Sequence, residues 1–234
     1  MAHANGDLTL EDVAVSRGAG EVISGITTTL VPGEVLALVG PNGAGKTNLI
    51  EAISGVTPHS AGRILLDDEP IDKVSRVGRA RRGIVHIEQG RAVFGSLTVR
   101  ENLSITARGP GGIDEVLESF PELSRRLDSP AGLLSGGEQQ MVVLARSFAA
   151  KPRFLLIDEM SLGLAPVVFH RLLPIVSDIA SSGVGVLLVE QFTQLALGLA
   201  ENAIVVASGS VTYQGASAPL RDEPELLQRA YLGG

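Results

Sequence analysis

The sequence predicts an α/β fold in which a mostly parallel sheet is flanked by helices. Short apolar runs rich in Val, Ile and Leu recur along the 234 residues without polar alternation. Such runs are typical of strands that are buried on both faces of a parallel sheet covered by helices. The five runs are "EVLALVG" (34–40), "GIVHI" (83–87), "RFLLID" (153–158), "GVGVLLVE" (183–190) and "AIVVAS" (203–208).

Helical periodicity lies between these runs. "GKTNLIEAISGV" (45–56) predicts a helix, because Leu49, Ile50 and Ile53 share one face and Gly55 is placed to end it. "SGGEQQMVVLARSFAA" (135–150) predicts a second helix. Its apolar face has the spacing i, i+3, i+4, i+7 and consists of Met141, Leu144, Ala145 and Phe148.

Two further parts of the chain have different patterns. "DLTLEDVAV" and "EVISGITTTLVPGE", near the N-terminus, alternate more and contain Thr, which favours antiparallel strands in an edge or side sheet. The segment 90–148 is predicted to be a helical insertion into the α/β core. We therefore expect one domain over 1–234, with 1–89 and 149–234 forming the core and its antiparallel β subdomain.

Composition limits the function classes. The formal net charge of −7 argues against a nucleic-acid partner, and the absence of cysteine excludes disulfides, thiolate catalysis and Cys-ligated zinc. The apolar runs are shorter than the roughly 18–20 residues needed to cross a bilayer, so we expect no membrane span. The N-terminal residues lack a basic start and an apolar stretch, so we expect no signal peptide.

"GPNGAGKT" (40–47) matches the phosphate-loop pattern G-x-x-x-x-G-K-[ST]. The glycines let consecutive backbone N–H groups face a phosphate, and the start of the following helix adds its dipole. Lys46 can reach the β- and γ-phosphates of a nucleotide, and the Thr47 hydroxyl is a suitable Mg²⁺ ligand. The alternative is a glycine-rich turn that matches by chance, which the preceding strand and following helix argue against. The predicted nucleotide-binding residues here are Gly40, Pro41, Asn42, Gly43, Ala44, Gly45, Lys46, Thr47 and Asn48.

An acidic pair follows another predicted buried strand. In "FLLIDE", Asp158 can hold Mg²⁺ through water, and Glu159 can orient or deprotonate an attacking water. The alternative explanation for these two acidic residues is that the strand has simply reached solvent. The coincidence of this pair with a phosphate loop favours nucleotide hydrolysis.

A second glycine-containing helix start lies in "LLSGGEQQMVVLAR" (133–146), where Ser135, Gly136 and Gly137 form another anion-binding corner. "LSGGEQQ" closely resembles the signature of the ATP-binding-cassette (ABC) ATPases, and it precedes the acidic strand as in that family. The resemblance covers essentially the whole chain. It implies a P-loop NTPase core with an N-terminal antiparallel β subdomain and an inserted helical subdomain, with ATP and Mg²⁺ as cofactors.

The resemblance also implies roles for residues outside these motifs. Such cassettes work as head-to-tail dimers, so Ser135, Gly136, Gly137 and Glu138 would close on ATP held by a second ABC ATPase subunit. Gln89 matches the glutamine that senses Mg²⁺ and the attacking water, so it is a predicted catalytic residue and metal neighbour. Gln191 lies where most members have a switch histidine that touches the γ-phosphate. Arg17 occupies the position at which many cassettes stack adenine on an aromatic residue.

"GRAVFGSLTVRENL", "SLGLAP", "LLVEQ" and "AYLGG" together resemble the ATP-binding subunits of bacterial branched-chain amino acid importers. That resemblance implies integral membrane permease subunits, a substrate-binding protein acting through them, and a place at the cytoplasmic face of the cell membrane. A groove near Gln89 to Leu103 is expected to dock permease helices, with Phe94 and Leu97 as apolar contacts. The alternative for these two residues is an ordinary core position.

The basic run "KVSRVGRARRG" (73–83) has two interpretations. It could face anionic lipid headgroups, but a solvated helix face is the favoured one.

The function of the cassette is also open at this point. It could serve another small solute. It could instead be a soluble cassette of DNA repair or translation, although such proteins usually have two cassettes or long coiled-coil inserts. A binding-only cassette is a third possibility, suggested by Arg17, Asn48 and Met160, which depart from the usual family residues.

Overall fold

The computed structural model describes residues 6–18, 20–90, 93–107, 109 and 111–233. The strands are β1 (Leu8–Arg17), β2 (Gly20–Leu30), β3 (Val35–Val39), β4 (Ala61–Leu66), β5 (Glu69–Pro70), β6 (Ile84–Ile87), β7 (Phe154–Asp158), β8 (Gly185–Val189), β9 (Asn202–Ala207) and β10 (Ser210–Ala216). The α-helices are α1 (Lys46–Ser54), α2 (Arg76–Arg81), α3 (Val99–Ser104), α4 (Gly112–Ser119), α5 (Gly136–Ala149), α6 (Pro166–Ser181), α7 (Thr193–Leu199), α8 (Ser217–Asp222) and α9 (Pro224–Leu232).

The strands form two sheets. A six-stranded sheet has the order β10-β9-β3-β8-β7-β6, and its strands are parallel apart from the antiparallel β9–β10 pair. The predicted strands at 34–40, 83–87, 153–158, 183–190 and 203–208 are confirmed as β3, β6, β7, β8 and β9. The order β2-β1-β4-β5 forms a separate antiparallel sheet, which confirms the antiparallel side sheet predicted for the N-terminal segments.

Burial on both faces explains the unalternating strands. In β3, Val35, Ala37 and Val39 face one apolar core, whereas Leu36 and Leu38 face the other. Alternate side chains of a strand point to opposite faces, so a strand between two cores is apolar at every position. The first core lies under helices α5 and α6, and the second lies between the main sheet, α1 and the antiparallel sheet.

Helices occupy much of the predicted insertion. Helices α3 and α4 both pack against α5, which extends one residue beyond the predicted boundary at 148. Two short 3₁₀ segments, Pro121–Arg126 and Ala131–Leu133, connect them. The division of the chain into a core and a helical subdomain stays a prediction. Within the part of the chain that the structure describes, no helix is long and apolar enough to cross a membrane.

Helix α1 ends as predicted, with Gly55 in the left-handed conformation at φ 78°. An unexpected contact adds to this end. The Arg79 side chain is 3% exposed, and its guanidinium donates hydrogen bonds of 2.8 Å to the carbonyls of both Ala52 and Ile53. It donates further bonds to the carbonyls of Ile71 and Val74.

This burial corrects the interpretation of the basic run 73–83. Arg79 is neither on a solvated face nor available to lipid, because its guanidinium is inside the protein and anchors the end of α1. The remaining cations of the run are exposed, and Arg76 pairs with Glu88. These exposed cations are Lys73, Arg76, Arg81 and Arg82.

Candidate functional site

The phosphate loop follows β3 and leads into α1, at the edge where the carboxyl ends of the parallel strands lie. Gly45 caps the helix with φ 95°, and a Cβ added there would lie 2.7 Å from the Cβ of Ile23. A Cβ on Gly40 would lie 2.0 Å from the carbonyl oxygen of Val206. Both positions therefore require glycine, because neighbouring backbone or Cβ atoms fill the space that a side chain would need.

Lys46 is folded onto its own loop. Its side chain is 4% exposed, and Nζ donates to the carbonyl oxygens of Gly40 at 2.8 Å and Pro41 at 3.0 Å. Burial lowers the pKa of Lys46, while the nearby carboxylates of Glu159 and Asp158 act in the opposite direction. The amine thus lies at the base of the loop among neutral acceptors and acidic neighbours.

Thr47 and Asp158 come together from α1 and β7. The Thr47 hydroxyl donates to Oδ1 of Asp158 at 3.4 Å. Burial raises the pKa of Asp158 to about 6, although the hydrogen bond from Thr47 acts to lower it. A hydroxyl and a carboxylate are oxygen donors of the kind that Mg²⁺ prefers. Along the described ranges, no group of three or more His, Asp or Glu side chains could by itself hold a metal ion.

Two glutamines converge on Glu159. Nε2 of Gln89, beyond β6, donates to Oε2 of Glu159 at 2.6 Å, and Nε2 of Gln191, beyond β8, donates to the same oxygen at 2.9 Å. Glu159 itself has φ 46°, and its backbone N–H donates to the Val189 carbonyl at 2.9 Å. A left-handed conformation is uncommon for a long side chain and occurs mainly where the surrounding structure enforces it, often at functional sites.

Lys46, Thr47, Glu159 and the two glutamines share one cavity of about 250 Å³, which Asp158 does not line. The structure therefore brings together the residues predicted from the phosphate loop, the acidic strand and the two glutamines. The lining residues are Asn42, Gly43, Gly45, Lys46, Thr47, Asn48, Gln89, Glu159 and Gln191. Ala44 is buried in the second core beneath the loop.

The second helix start lies in a different cavity, of about 310 Å³, which shares no lining residue with the first. Ser135 caps α5, and the Glu138 carboxylate accepts bonds from the Ser135 N–H at 2.9 Å and its hydroxyl at 2.7 Å. Arg126 also donates to Glu138 at 2.8 Å. The hydrogen bonds from Ser135 hold the pKa of Glu138 below its usual value. The Glu138 carboxylate is thus engaged within its own chain, although Glu138 lines the cavity together with Ser135, Gly136 and Gly137.

Arg17 does not line the first cavity. Its Nε donates to Oδ1 of Asn48 at 2.8 Å, and its guanidinium pairs with Glu51 on α1. Arg17 therefore contacts the helix that follows the loop. The predicted contact with adenine stays a prediction.

The groove between the main sheet and the helices lies beside the segment Gln89–Leu103 rather than within it. A cavity of about 570 Å³ is bordered by α2, β6 and the end of α3, and none of its described lining residues falls within that segment. Phe94 is 49% exposed, with the Arg146 guanidinium 5.0 Å from its ring centre, so a core position is wrong for it. Leu97 is half-buried. The cavity is lined by Ser54, Arg76, Val77, Ala80, Arg81, Ile84, Val85, His86, Ile105, Thr106, Ala107 and Ala150.

Glu190, which follows β8 and is fully buried, has no predicted role from the sequence. Its carboxylate accepts bonds from the backbone N–H of Ser161, at 3.2 Å, and from the Ser161 hydroxyl. Burial raises the pKa of Glu190 to about 7. It thereby joins the segment after Glu159 to the strand tip that holds Gln191. The sequence feature that could have identified Glu190 is its position as a carboxylate directly after an entirely apolar strand.

Known proteins resemble this chain over nearly its whole length. The family model described as "ABC transporter" matches residues 23–161, which is more than half of the chain. The branched-chain amino acid transport ATP-binding protein BraG of Pseudomonas aeruginosa is 35% identical over 97% of this chain and 100% of its own length. The lipopolysaccharide export ATP-binding protein LptB of Escherichia coli K12 is 32% identical, with 97% of each chain covered.

Further similarities agree on the fold. The probable branched-chain amino acid transport protein LivF of Archaeoglobus fulgidus is 33% identical over 96% of this chain and 98% of its own length. A crystal structure of an ATP-binding cassette of an ABC transporter, in its ADP conformation, superposes with a TM-score of 0.87. It is 24% identical and covers 98% of this chain and 99% of its own, a level of similarity that supports the fold alone.

Proposed function

Because the chain belongs to the ABC transporter family of ATP-hydrolysing cassette proteins, we propose that it is the ATPase subunit of an importer of branched-chain amino acids. The observation that most supports its chemistry is the convergence of Gln89 and Gln191 on Glu159 above the phosphate loop. The relatives named for branched-chain amino acid transport support the choice of solute.

The phosphate loop would bind the β- and γ-phosphates of ATP with its backbone N–H groups and the start of α1. Lys46 would exchange its bonds with the Gly40 and Pro41 carbonyls for bonds with phosphate oxygens. Thr47 and Asp158 would hold Mg²⁺, Asp158 through water, with Gln89 beside them. The ion would neutralise charge on the phosphate oxygens. The acidic and hydroxyl oxygens at this position fit that role.

Glu159 would orient the attacking water and accept its proton, because its carboxylate lies in the same cavity as Lys46 and Thr47. Gln191 would act by its amide, which can donate and accept hydrogen bonds but does not titrate near neutral pH. Both glutamine amides donate to Glu159, so they hold its carboxylate at the cavity.

A second cassette would complete the site. Ser135, Gly136 and Gly137 lie in a cavity separate from the phosphate loop, so one chain would supply the two halves of a nucleotide site at different places. A head-to-tail partner, either a copy or a related cassette, would bring its own helix start to this ATP. Exposed apolar side chains near that cavity, Leu162 and Val167 among them, suit such an interface.

Permease subunits would dock in the cavity bordered by α2, β6 and the end of α3. Val77 and Ile105 line it and are exposed although apolar, and Phe94 is a further exposed apolar residue of the segment after β6. Such a partly apolar groove suits an amphipathic cytoplasmic helix of a membrane partner. This contact would place the chain at the cytoplasmic face of a bacterial membrane, with the solute-binding protein acting through the permease.

The substitution Glu159→Gln tests the hydrolytic role. We expect turnover to fall by about 10²–10⁴-fold while ATP binding persists, because the variant keeps the cavity but loses the proton acceptor. Phosphate release and equilibrium nucleotide binding measure the two effects. The exposed Glu69→Gln variant is the matched control. Undiminished hydrolysis in Glu159→Gln would remove Glu159 from this role.

A second candidate function is lipopolysaccharide export, which the similarity to LptB favours at nearly the same identity as the importer relatives. The two candidates differ in what stimulates ATP hydrolysis by the complex with its membrane partner. Stimulation by a leucine-loaded binding protein in proteoliposomes would support import. Stimulation by lipopolysaccharide alone would support export.

A further inference from the structure

The last turn of α9 contacts the segment that follows the strand tip. The hydroxyl oxygen of Tyr231 lies 2.6 Å from Oγ1 of Thr193, the first residue of α7, and both side chains are partly buried in this contact. Tyr231 belongs to the terminal segment "AYLGG", for which the sequence alone indicates a resemblance but no chemistry. Thr193 lies two residues beyond Gln191.

Thr193 in turn holds the backbone of Gln191. Its N–H donates to the Gln191 carbonyl at 2.8 Å, and its hydroxyl donates to the same oxygen at 3.3 Å. A threonine hydroxyl has one proton, so a hydroxyl that donates to Gln191 must accept at the Tyr231 contact. Either hydroxyl could donate in the 2.6 Å contact, and in the arrangement where Thr193 O–H donates to Gln191, Tyr231 O–H donates to Thr193.

The surroundings of Tyr231 keep its hydroxyl protonated. Burial raises its pKa, while Thr193 and the backbone N–H of Gly40 act to lower it. The hydroxyl is therefore protonated at neutral pH. The Gly40 interaction also places the Tyr231 oxygen beside the first residue of the phosphate loop.

The rest of α9 is anchored. It packs against β9 and α8, and Ala230, the neighbour of Tyr231, is buried. Tyr231 is also packed against the larger apolar core. A rigid attachment is what a side chain needs if it is to fix the position of another group.

We propose that Tyr231 is a positioning residue for Gln191, so that the C-terminal helix fixes the glutamine at the strand tip through Thr193. The inference rests on the proposed function, because it assumes that Gln191 contributes to ATP hydrolysis. Tyr231 itself touches neither nucleotide nor water in this scheme. Its effect is on the backbone from which the Gln191 amide projects.

Tyr231→Phe removes the hydroxyl and keeps the ring. Tyr213→Phe is a matched control, because Tyr213 is the other of the two tyrosines in the sequence and its hydroxyl donates to the Ala216 carbonyl at 2.8 Å. In steady-state hydrolysis of Mg-ATP by the full chain, we expect Tyr231→Phe to lower kcat about fivefold, as the loss of one hydrogen bond would. The KM for ATP should change less than twofold, and Tyr213→Phe should match the parent. Equal kcat values for the two variants would overturn the inference.

A Gln191→Ala background separates this inference from the proposed function. We expect Tyr231→Phe to cause no further loss there, because its effect passes through Gln191. A full additional fivefold loss would overturn the positioning role. If Gln191→Ala alone hydrolyses ATP at the parental rate, the proposed role of Gln191 fails. If Gln191→Ala is slow but Tyr231→Phe is not, only the positioning inference fails.

Thr193→Val breaks the same connection from the opposite side and keeps the shape of the side chain. It serves as the second variant should Tyr231→Phe reduce the folded fraction, which thermal melting would show. We expect a loss of kcat similar to that of Tyr231→Phe, again with little change in KM. A parental kcat in a folded Thr193→Val variant would overturn the inference.

Discussion

Replacing Arg79 by Met is expected to destabilise the protein strongly although Arg79 belongs to a run of surface-type residues. The guanidinium is buried and donates to carbonyls at the end of α1 and in the segment before α2. Met can fill much of the volume of the side chain but cannot donate a hydrogen bond. The change therefore removes donors from buried acceptors at Ala52, Ile53 and Ile71 and from a part-buried acceptor at Val74.

The magnitude follows from the carbonyls that lose a donor. The Ala52 carbonyl keeps the Gly55 N–H at 3.2 Å, and the Ile71 carbonyl keeps the Val74 N–H at 2.9 Å. The carbonyls of Ile53 and Val74 depend on Arg79. An unsatisfied buried acceptor costs about 1–3 kcal/mol, so two of them cost about 2–6 kcal/mol. Arg79 is also a desolvated cation, since burial lowers its pKa. The substitution removes this buried charge, which offsets part of the cost.

We expect a net loss of about 3 kcal/mol in the free energy of unfolding, and a fall in Tm of about 6–12 °C for a chain of this size. Urea denaturation and calorimetry measure the two quantities. Arg82→Met is the matched control, because Arg82 is the exposed C-cap of the same helix, and it should change stability by less than about 0.5 kcal/mol. A difference below about 1 kcal/mol between the variants would refute the anchoring of α1 by Arg79.

Further predictions concern pH and partner binding. Burial lowers the pKa of His86 to about 4. Between pH 6.5 and pH 4, the unfolded chain therefore binds a proton at His86 and the folded chain does not. His86 should therefore contribute a loss of about 3 kcal/mol over this window, measured in urea titrations as the difference in pH dependence between the parent and His86→Gln, with the exposed His170→Gln variant matching the parent. Burial raises the pKa of Glu190 to about 7, so its contribution to stability is present at pH 4.5 and is lost as pH rises through 7. Glu190→Gln should remove this slope, and an unchanged slope would contradict the assignment. Val77→Asp, which places a charge in the apolar part of the proposed docking cavity, should reduce co-purification with permease subunits, with thermal melting as the folding control.

The sequence predicts the site well where the fold itself assembles it. Asp158, Glu159 and Gln191 each follow an apolar run, and the carboxyl ends of parallel strands meet at one edge of a sheet. Their proximity to Lys46 therefore follows from strand periodicity and a phosphate-loop pattern. The end of α1 at Gly55 was predictable for a similar reason, because a local conformational preference determines it.

The contacts that sequence reasoning missed are of another kind. Arg79 with Ile53, Glu190 with Ser161 and Tyr231 with Thr193 join residues that are far apart in the chain. Each involves a polar side chain of a type that is more often exposed. Periodicity cannot identify them, since burial of such a group depends on which distant partner satisfies its hydrogen bonds.

The bonds of Lys46 to the Gly40 and Pro41 carbonyls have a consequence for mutagenesis. The ammonium links the end of the phosphate loop to its start, so Lys46 is also a structural residue of the loop. A Lys46→Ala variant would lose a phosphate ligand and, at the same time, the internal brace of the loop. Its loss of affinity for ATP would thus combine a missing contact with the cost of reordering a loosened loop, and its apo form should exchange the loop amide hydrogens faster than the parent does.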